Sequence, residues 1–524
     1  MKTGPRYARS VALVVAFGGF LMGFDASVIS GVVGFIEPEF SLSKLQLGWA
    51  VSCLTLTATL GMMISGPLSD AIGRKRVLIL AALVYTASAV LSAVATSFAF
   101  LVAARMLGGF AVGASLIVAP MYIAEMAPAR LRGQMVSFNQ LNIVVGISAA
   151  FFSNYLVLKL GQSDAAWAKA LQFGPHNWRW MLGLETLPAL FYFFSLLPVP
   201  ESPRWLVMRG RAPEALALLT RTGGDEAEAR RQIESIQASL AEEAGRVKTP
   251  LSELFLPALR RVLVIGLVIA VIQQITGINA VFFYAPMIFE QSGIGKDAAF
   301  SQAVLVGLTN LVFTLVAMAL VDRLGRKPLL GLGLAGITVS MLLLGGSFAA
   351  ARYELTPQAL EGLPKGLDAS RLAALQGRVF ESDVAFKRAL AEALGAEQAR
   401  QFESDLLKRA IRARPLLILA GILGFVASFA VSVGPVMWIL FSELFPNRVR
   451  GLAVSFVGFV NSAVSFLVQL VFPWELANWG SAATFWIFGA FAALGFFFVL
   501  AVVPETKGRT LEELADELVH KRAA

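Results

Sequence analysis

Asp70-Ala-Ile-Gly73-Arg74-Lys75 comes back as Asp322-Arg-Leu-Gly325-Arg326-Lys327, and Glu125-Met-Ala-Pro128-Ala-Arg130-Leu-Arg132-Gly133 comes back as Glu443-Leu-Phe-Pro446-Asn-Arg448-Val-Arg450-Gly451. Both motifs fall in short polar gaps between apolar runs, and they recur in the same order, so the chain carries its own alignment. A third echo, Pro200-Glu201-Ser-Pro-Arg204 and Pro504-Glu505-Thr-Lys507, closes each copy. Asp322 follows Asp70 by 252 residues, but Glu443 follows Glu125 by 318. The second copy therefore holds 66 extra residues, nearly the size of the polar segment 351–414.

Around these motifs the chain is oil-like. Of its 524 residues 57% are hydrophobic and only 15% charged, against about a quarter charged in a soluble domain. Long apolar segments lie near 10–36, 47–69, 77–96, 98–124, 134–158, 180–198, 261–289, 299–321, 328–350, 415–442, 451–476 and 480–503. A membrane helix needs roughly 20 such residues, so the reading is an all-α membrane protein with twelve transmembrane helices in two pseudo-symmetric bundles of six. Residues 1–199 make the N-terminal bundle, 200–258 a linker with short amphipathic helices, and 259–524 the C-terminal bundle. Segment 351–414, with Phe386, Leu390 and Leu394 at helical spacing, is an insertion of two or three surface helices.

The charges set orientation. Lys2, Arg6, Arg9, Arg74, Lys75, Arg76, Arg130, Arg132, Arg323, Arg326, Lys327, Arg448 and Arg450 fall in alternate gaps, while the remaining short gaps offer only Lys44, Lys159, Lys169, Arg179 and Lys296. By the positive-inside rule the first set is cytoplasmic, with the linker and both termini. The net charge of +9 thus serves topology, not nucleic-acid binding. The basic start leads straight into a long apolar run and is read as a retained first helix, not a cleaved signal. One cysteine, Cys53, and two histidines, His176 and His520, far apart in sequence, make no metal constellation, and no cofactor is expected. No Ser/His or metal arrangement lies in the helices, so an enzyme is not expected. Parallel six-helix repeats instead suggest a transporter with its site between the halves.

The ordered motifs resemble the sugar porters of the major facilitator superfamily, similar to bacterial xylose/proton symporters and glucose facilitators. The matching strings are Gly23-Phe-Asp25-Ala-Ser-Val-Ile-Ser-Gly31, the Asp70 and Asp322 loops, Arg105-Met-Leu-Gly-Gly109, Pro200-Glu-Ser-Pro-Arg-Trp-Leu206, Gln273-Gln274-Ile-Thr-Gly277-Ile-Asn279, Gly434-Pro-Val-Met-Trp438 and Pro504-Glu-Thr-Lys-Gly508. The resemblance implies a monosaccharide carrier, for a hexose or pentose, in the plasma (inner) membrane, working as a monomer. Sugar, proton and lipid bilayer are its partners.

Asp25 sits in mid-segment, where an ionisable residue is expensive and usually functional. The resemblance pairs it with Arg105 as a proton switch, because family members that only equilibrate sugar commonly carry a neutral residue at that place. The plainer reading is a permanent ion pair bracing two helices. Glu185, near the start of the sixth segment, matches an acidic position of some proton-coupled porters, or is simply a carboxylate at a helix N-terminus.

For the sugar, the resemblance implies Gln140, Gln273, Gln274, Asn279, Asn310, Asn461 and the indole of Trp438. Amides suit hydroxyls, since each offers donors and an acceptor, although a single intramembrane amide also serves as glue between helices. Ile147, Phe283 and Ser462 stand where related porters have polar or aromatic residues, which leaves the preferred sugar open. A gating network is expected from Asp70, Arg74, Glu125, Arg132, Glu201 and Arg204, and from their counterparts Asp322, Arg326, Glu443, Arg450 and Glu505; alternatively the basic members only fix topology. The competing functions are a sugar uniporter, an inositol/proton symporter and a non-transporting nutrient sensor. The 20 residues after Pro504 are short for a sensor's tail.

Overall fold

The computed structural model describes residues 4–128, 131–223, 225–245, 250–360, 367, 369–446, 448–509 and 513. Among these, eleven helices are long and apolar enough to cross a membrane. Spans 1 to 5 are Pro5–Glu39, Lys44–Ile72, Arg74–Ala93, Phe98–Met126 and Arg132–Gly161. Span 8 is Lys296–Leu324, span 9 Arg326–Ala349, span 11 Arg450–Asn478 and span 12 Gly480–Val502.

The other three spans are interrupted. Span 7 is Arg260–Ile275 followed by Ile278–Glu290. It breaks at Gly277, whose φ of 90° is left-handed and whose missing side chain leaves room for the Phe488 ring, 2.4 Å from where a Cβ would stand. Span 10 is Pro415–Val431 followed by Val433–Leu444, with Ser432 at the break. Pro435 lies just beyond and has no N–H to continue the ladder. Span 6 differs from the single helix expected over 180–198: it is Asn177–Gly183 and Thr186–Leu196, joined by a turn at Leu184 and Glu185. Pro188, in the first turn of the second piece, is the cause, since its ring fits a helix start and not a helix interior.

The chain's contacts divide it into two compact units. The first comprises 1–29, 53–153 and 164–250; the second comprises 30–52, 154–163 and 251–524. In the first, one apolar core joins spans 1 to 4 and 6 to the helices of the linker, through Tyr85, Tyr122 and Tyr192 on the spans and Trp205, Leu218 and Ile233 on the linker. The linker helices Pro203–Met208, Ala212–Gly223 and Glu226–Gly245 lay their apolar stripes on that core.

The second unit carries the insertion. Two helices, Asp383–Leu394 and Ala396–Ala410, enclose a small core of their own with Tyr353, Phe386, Leu390, Phe402 and Leu406. Unlike the helix-only expectation, the insertion also holds a three-stranded antiparallel sheet: β1 (Arg352–Glu354) between β2 (Val379–Phe380) and β3 (Ile411–Arg412). Ion pairs and hydrogen bonds fasten the insertion to the spans. Lys408 pairs with Glu290 at the end of span 7. Asp383 accepts the Ser481 N–H of span 12 at 3.3 Å, and Lys387 donates to the Leu476 carbonyl of span 11 at 3.4 Å. Glu403 lies 3.6 Å from Lys44, which also holds Glu37 at 2.6 Å.

Candidate functional site

In the first unit, the middle of span 1 carries Asp25 into the interior, only 1% exposed, against an Arg105 that is 2% exposed. Arg105 Nη1 donates to Asp25 Oδ1 at 3.1 Å, and Nη2 donates to the Asp25 main-chain carbonyl at 3.2 Å. Glu185, 3% exposed, lies where the charges of both Asp25 and Arg105 act on it. The interruption of span 6 accounts for this placement: Glu185 stands at the junction of two short helices without capping the second, buried in the unit and away from water. A buried cation paired with one carboxyl, with a second carboxyl in its field, is stable in few protonation states, because charge buried without a counter-charge is costly.

In the second unit, the interruptions of spans 7 and 10 bring amides together. Gln273 Nε2 donates to the Val433 and Gly434 carbonyls at 3.3 and 3.4 Å, which lie at the break of span 10. Gln274 Nε2 donates to Gln273 Oε1 and to Asn461 Oδ1, both at 3.1 Å. Asn461 Nδ2 in turn donates to Gln273 Oε1 at 2.7 Å and to the Ala270 carbonyl at 2.9 Å. Asn279 Nδ2 bonds Gln274 Oε1 at 2.9 Å and Ser465 Oγ at 2.7 Å. Four sequence-derived residues, Gln273, Gln274, Asn279 and Asn461, thus form one network. The array gathers amide donors and acceptors inside a largely apolar unit.

Of the other expected sugar contacts, Asn310 and Trp438 share no hydrogen bond with that network among the described residues, and Gln140 belongs to the first unit. Gln140 is exposed on span 5 of the first unit, Asn310 is buried on span 8, and Trp438 is half exposed beside Phe441 at a ring separation of 6.0 Å. Two residues that the sequence reading passed over belong to the network. Ser465 accepts from Asn279 and, at 2.8 Å, from Gln469 Nε2, and the Gln469 carbonyl accepts from the Tyr284 hydroxyl at 3.1 Å. The spacing Asn461, Ser465, Gln469, one polar residue per helical turn on an apolar span, is the signal that marks them.

The duplicated loops make matching charge clusters, one in each unit. Arg74, buried, pairs with Asp70 at 2.8 Å and Glu125 at 3.2 Å; Arg326 pairs with Glu443 through two bonds of 3.1 and 2.7 Å. Glu201 accepts the Lys75 N–H at 3.1 Å, and Glu505 accepts the N–H groups of Arg326 and Lys327, each at 3.1 Å. Arg132 and Arg450 each turn Nε to a main-chain carbonyl, of Ala124 and Phe445. Arg204 is partly buried in Pro203–Met208. Asp322 lies on span 8, and its side chain is outside the described residues.

This arrangement has known counterparts. The profile of the family described as "Sugar (and other) transporter" matches residues 11–361 and 404–518, passing over the middle of the insertion. The chain is 36% identical over 510 residues to the arabinose-proton symporter of Bacillus subtilis (strain 168), covering 96% of this chain and 93% of the relative. It is 32% identical over 540 residues to the D-xylose-proton symporter of Escherichia coli (strain K12), covering 97% and 95%. The inward open conformation of the xylose transporter XylE from E. coli superposes with a TM-score of 0.73 at 29% identity, covering 98% of this chain and all of that one. These proteins are transporters, not enzymes. The chain belongs to the sugar transporter family of the major facilitator superfamily, a family of multi-pass membrane proteins.

Proposed function

We propose that the protein imports a monosaccharide, a hexose or pentose, with protons moving down their gradient, by alternating access. The observation that carries this reading is the buried Asp25–Arg105 pair at 3.1 Å, in a chain whose second unit builds an amide network for a hydroxyl-rich ligand. An ionisable residue this deep in a membrane span is expensive and marks a functional site by default. The names of the arabinose-proton and D-xylose-proton symporters support the same assignment.

In this proposal Asp25, Arg105 and Glu185 couple the proton. Gln140, Gln273, Gln274, Asn279, Asn310, Trp438 and Asn461 bind the sugar. The Arg74 and Arg326 clusters hold helix ends in one state of the cycle and rearrange in the other. Residues 1–199 and 259–524 act as the two bundles, joined by 200–258, with 351–414 on the outer face. The protein sits in the plasma (inner) membrane as a monomer with both termini in the cytoplasm. The test is transport into proteoliposomes under an imposed pH gradient: arabinose or xylose concentrates inside, and a protonophore abolishes the gain. A sugar that only equilibrates, with or without the gradient, refutes the coupling and leaves a uniporter.

A further inference from the structure

The first unit buries more polar atoms than its ion pair satisfies. Among the described residues Asp25 Oδ2, Arg105 Nε, Glu185 Oε1, Tyr85 Oη and Ser115 Oγ are buried with no hydrogen-bond partner in the protein. They share one neighbourhood. The Tyr85 hydroxyl faces Ser115, and Asp25, Glu185 and Tyr192 all act on it electrostatically. Cys53, from span 2, is a further titratable group on which Arg105 and Asp25 act.

Two close approaches fix the layout. A methyl group added at Gly108 would lie 2.5 Å from Ser88 Oγ and 2.9 Å from Asp25 Oδ2, so span 3 brings a hydroxyl beside the unbonded carboxylate oxygen. A methyl added at Gly18 would lie 2.7 Å from the Tyr192 hydroxyl and 3.5 Å from Ser115 Cβ. Gly18 precedes Asp25 by seven residues, two turns or about 10 Å along the same helix face.

Spans 4 and 6 take the same step, and span 3 takes about half of it. Ser115 follows Gly108 by seven residues, Tyr192 follows Glu185 by seven, and Tyr85 stands one turn before Ser88. A tier of carboxyls is thus followed by a tier of hydroxyls. Seven residues beyond Ser115 comes Tyr122, whose hydroxyl donates to the Pro200 carbonyl at 2.7 Å, where the linker begins. Buried polar groups in such a column are the ordinary hosts of ordered water, which needs two to four polar neighbours.

We propose that the adjacent Tyr85 and Ser115 hydroxyls, with water molecules at either end of the pair oriented by Tyr192, form a proton conduit inside the first unit. It leads from the Asp25 and Glu185 carboxyls to the end of the unit where the linker begins. The inference rests on the reading of Asp25 as the coupling residue. In the transfer, the O–H bond of a protonated carboxyl breaks and its proton joins the adjacent water, leaving the carboxylate beside Arg105. That water passes a different proton to the next hydroxyl, and each hydroxyl accepts one proton as it donates another. Tyr85 and Ser115 finish neutral, and one proton reaches bulk water. Tyr192 takes no part in the relay, because its own proton is engaged by the Val15 carbonyl at 3.2 Å; its lone pairs hold water in line.

The test compares wild type, Tyr85→Phe, Ser115→Ala, Ser115→Thr and Asp25→Asn in proteoliposomes, with xylose as the sugar and a pH-sensitive dye inside. Two rates are read: net uptake driven by a pH gradient, and counterflow at equal pH, in which the carboxyls need not shed their proton. Tyr85→Phe and Ser115→Ala lower net uptake and dye response about tenfold while counterflow and KM hold, and Ser115→Thr, which keeps the hydroxyl, restores net uptake. Parallel loss of both rates, or no loss in either, overturns the conduit. If Asp25→Asn still concentrates xylose, the coupling assignment falls and the conduit with it. If Asp25→Asn fails to concentrate it while the hydroxyl variants keep the wild-type rate, the conduit alone is refuted.

Discussion

Arg105 grips Asp25 twice, with Nη1 on the side-chain carboxylate and Nη2 on the main-chain carbonyl of the same residue. The second contact does not depend on the charge of the carboxylate. Asp25→Asn therefore keeps spans 1 and 4 tied: it is expected to fold and to exchange sugar by counterflow, but not to accumulate sugar against a gradient. Arg105→Leu is different in kind, for it strands a buried carboxylate beside a second one and costs roughly 3–5 kcal/mol of stability. Thermal unfolding in detergent, run beside both transport assays, separates the two variants.

Asn461 is the hub of the amide network, bonded to Gln273, Gln274 and the Ala270 carbonyl. Asn461→Ala leaves buried donors and acceptors unmatched, each worth about 1–3 kcal/mol, and the sugar KM is expected to rise by roughly ten- to a hundredfold, since each 1.4 kcal/mol is a factor of ten. Ser465→Ala frees Asn279 and Gln469 from a shared anchor without removing an amide, and its KM rises by less. Initial rates of labelled xylose uptake give both values.

Arg326 makes a two-pronged contact with Glu443 that a lysine cannot reproduce. Arg326→Lys keeps the charge and loses the fork, so turnover falls while KM stays within about twofold. Glu505→Gln retains an acceptor for the Arg326 and Lys327 N–H groups and is the milder change. Maximum uptake velocity at saturating sugar checks the order.

Tyr353, on β1 of the insertion, is buried beside Phe386 at a ring separation of 6.0 Å. Burial raises its phenol pKa above the usual value near 10, and the Asp383 carboxylate adds to the effect. The folded insertion therefore binds this proton more tightly than the unfolded chain does. The resulting stability is fully present below about pH 10 and drains away as pH climbs from there towards the folded value. Tyr353→Phe is expected to flatten this alkaline loss. Subtracting the variant's tyrosinate absorbance titration from that of the wild type isolates Tyr353, which ionises later than an exposed phenol.

The division between what was legible and what was not follows from length scale. Long apolar runs and the doubled Gly-Arg-Lys loops are many residues wide, and they announce an all-helical membrane fold of this family without coordinates. Gln273, Gln274 and Asn279 stand out in one motif and Asn461 through the family resemblance, and hydrogen bonds join all four. The break in span 6 escaped because hydropathy averages over a window in which Leu184 to Leu187 looks continuous, although Pro188 was there to be read. Strands of two or three residues, such as Val379–Phe380, have no periodicity to detect. Ser465, Gln469, Tyr85 and Ser115 escaped because serine, glutamine and tyrosine are common in membrane helices, and only their stacking at seven- or four-residue intervals sets them apart.

The carboxyl group and the amide network never share a unit: Asp25, Arg105 and Glu185 belong to the first, and Gln273, Gln274, Asn279 and Asn461 to the second. On the proposed reading, the proton group and the amide network are thus encoded on separate stretches of gene, with Gln140 the one proposed sugar contact on the first. If those roles hold, changes to the amide network can alter cargo preference while the Asp25–Arg105 pair stays as it is.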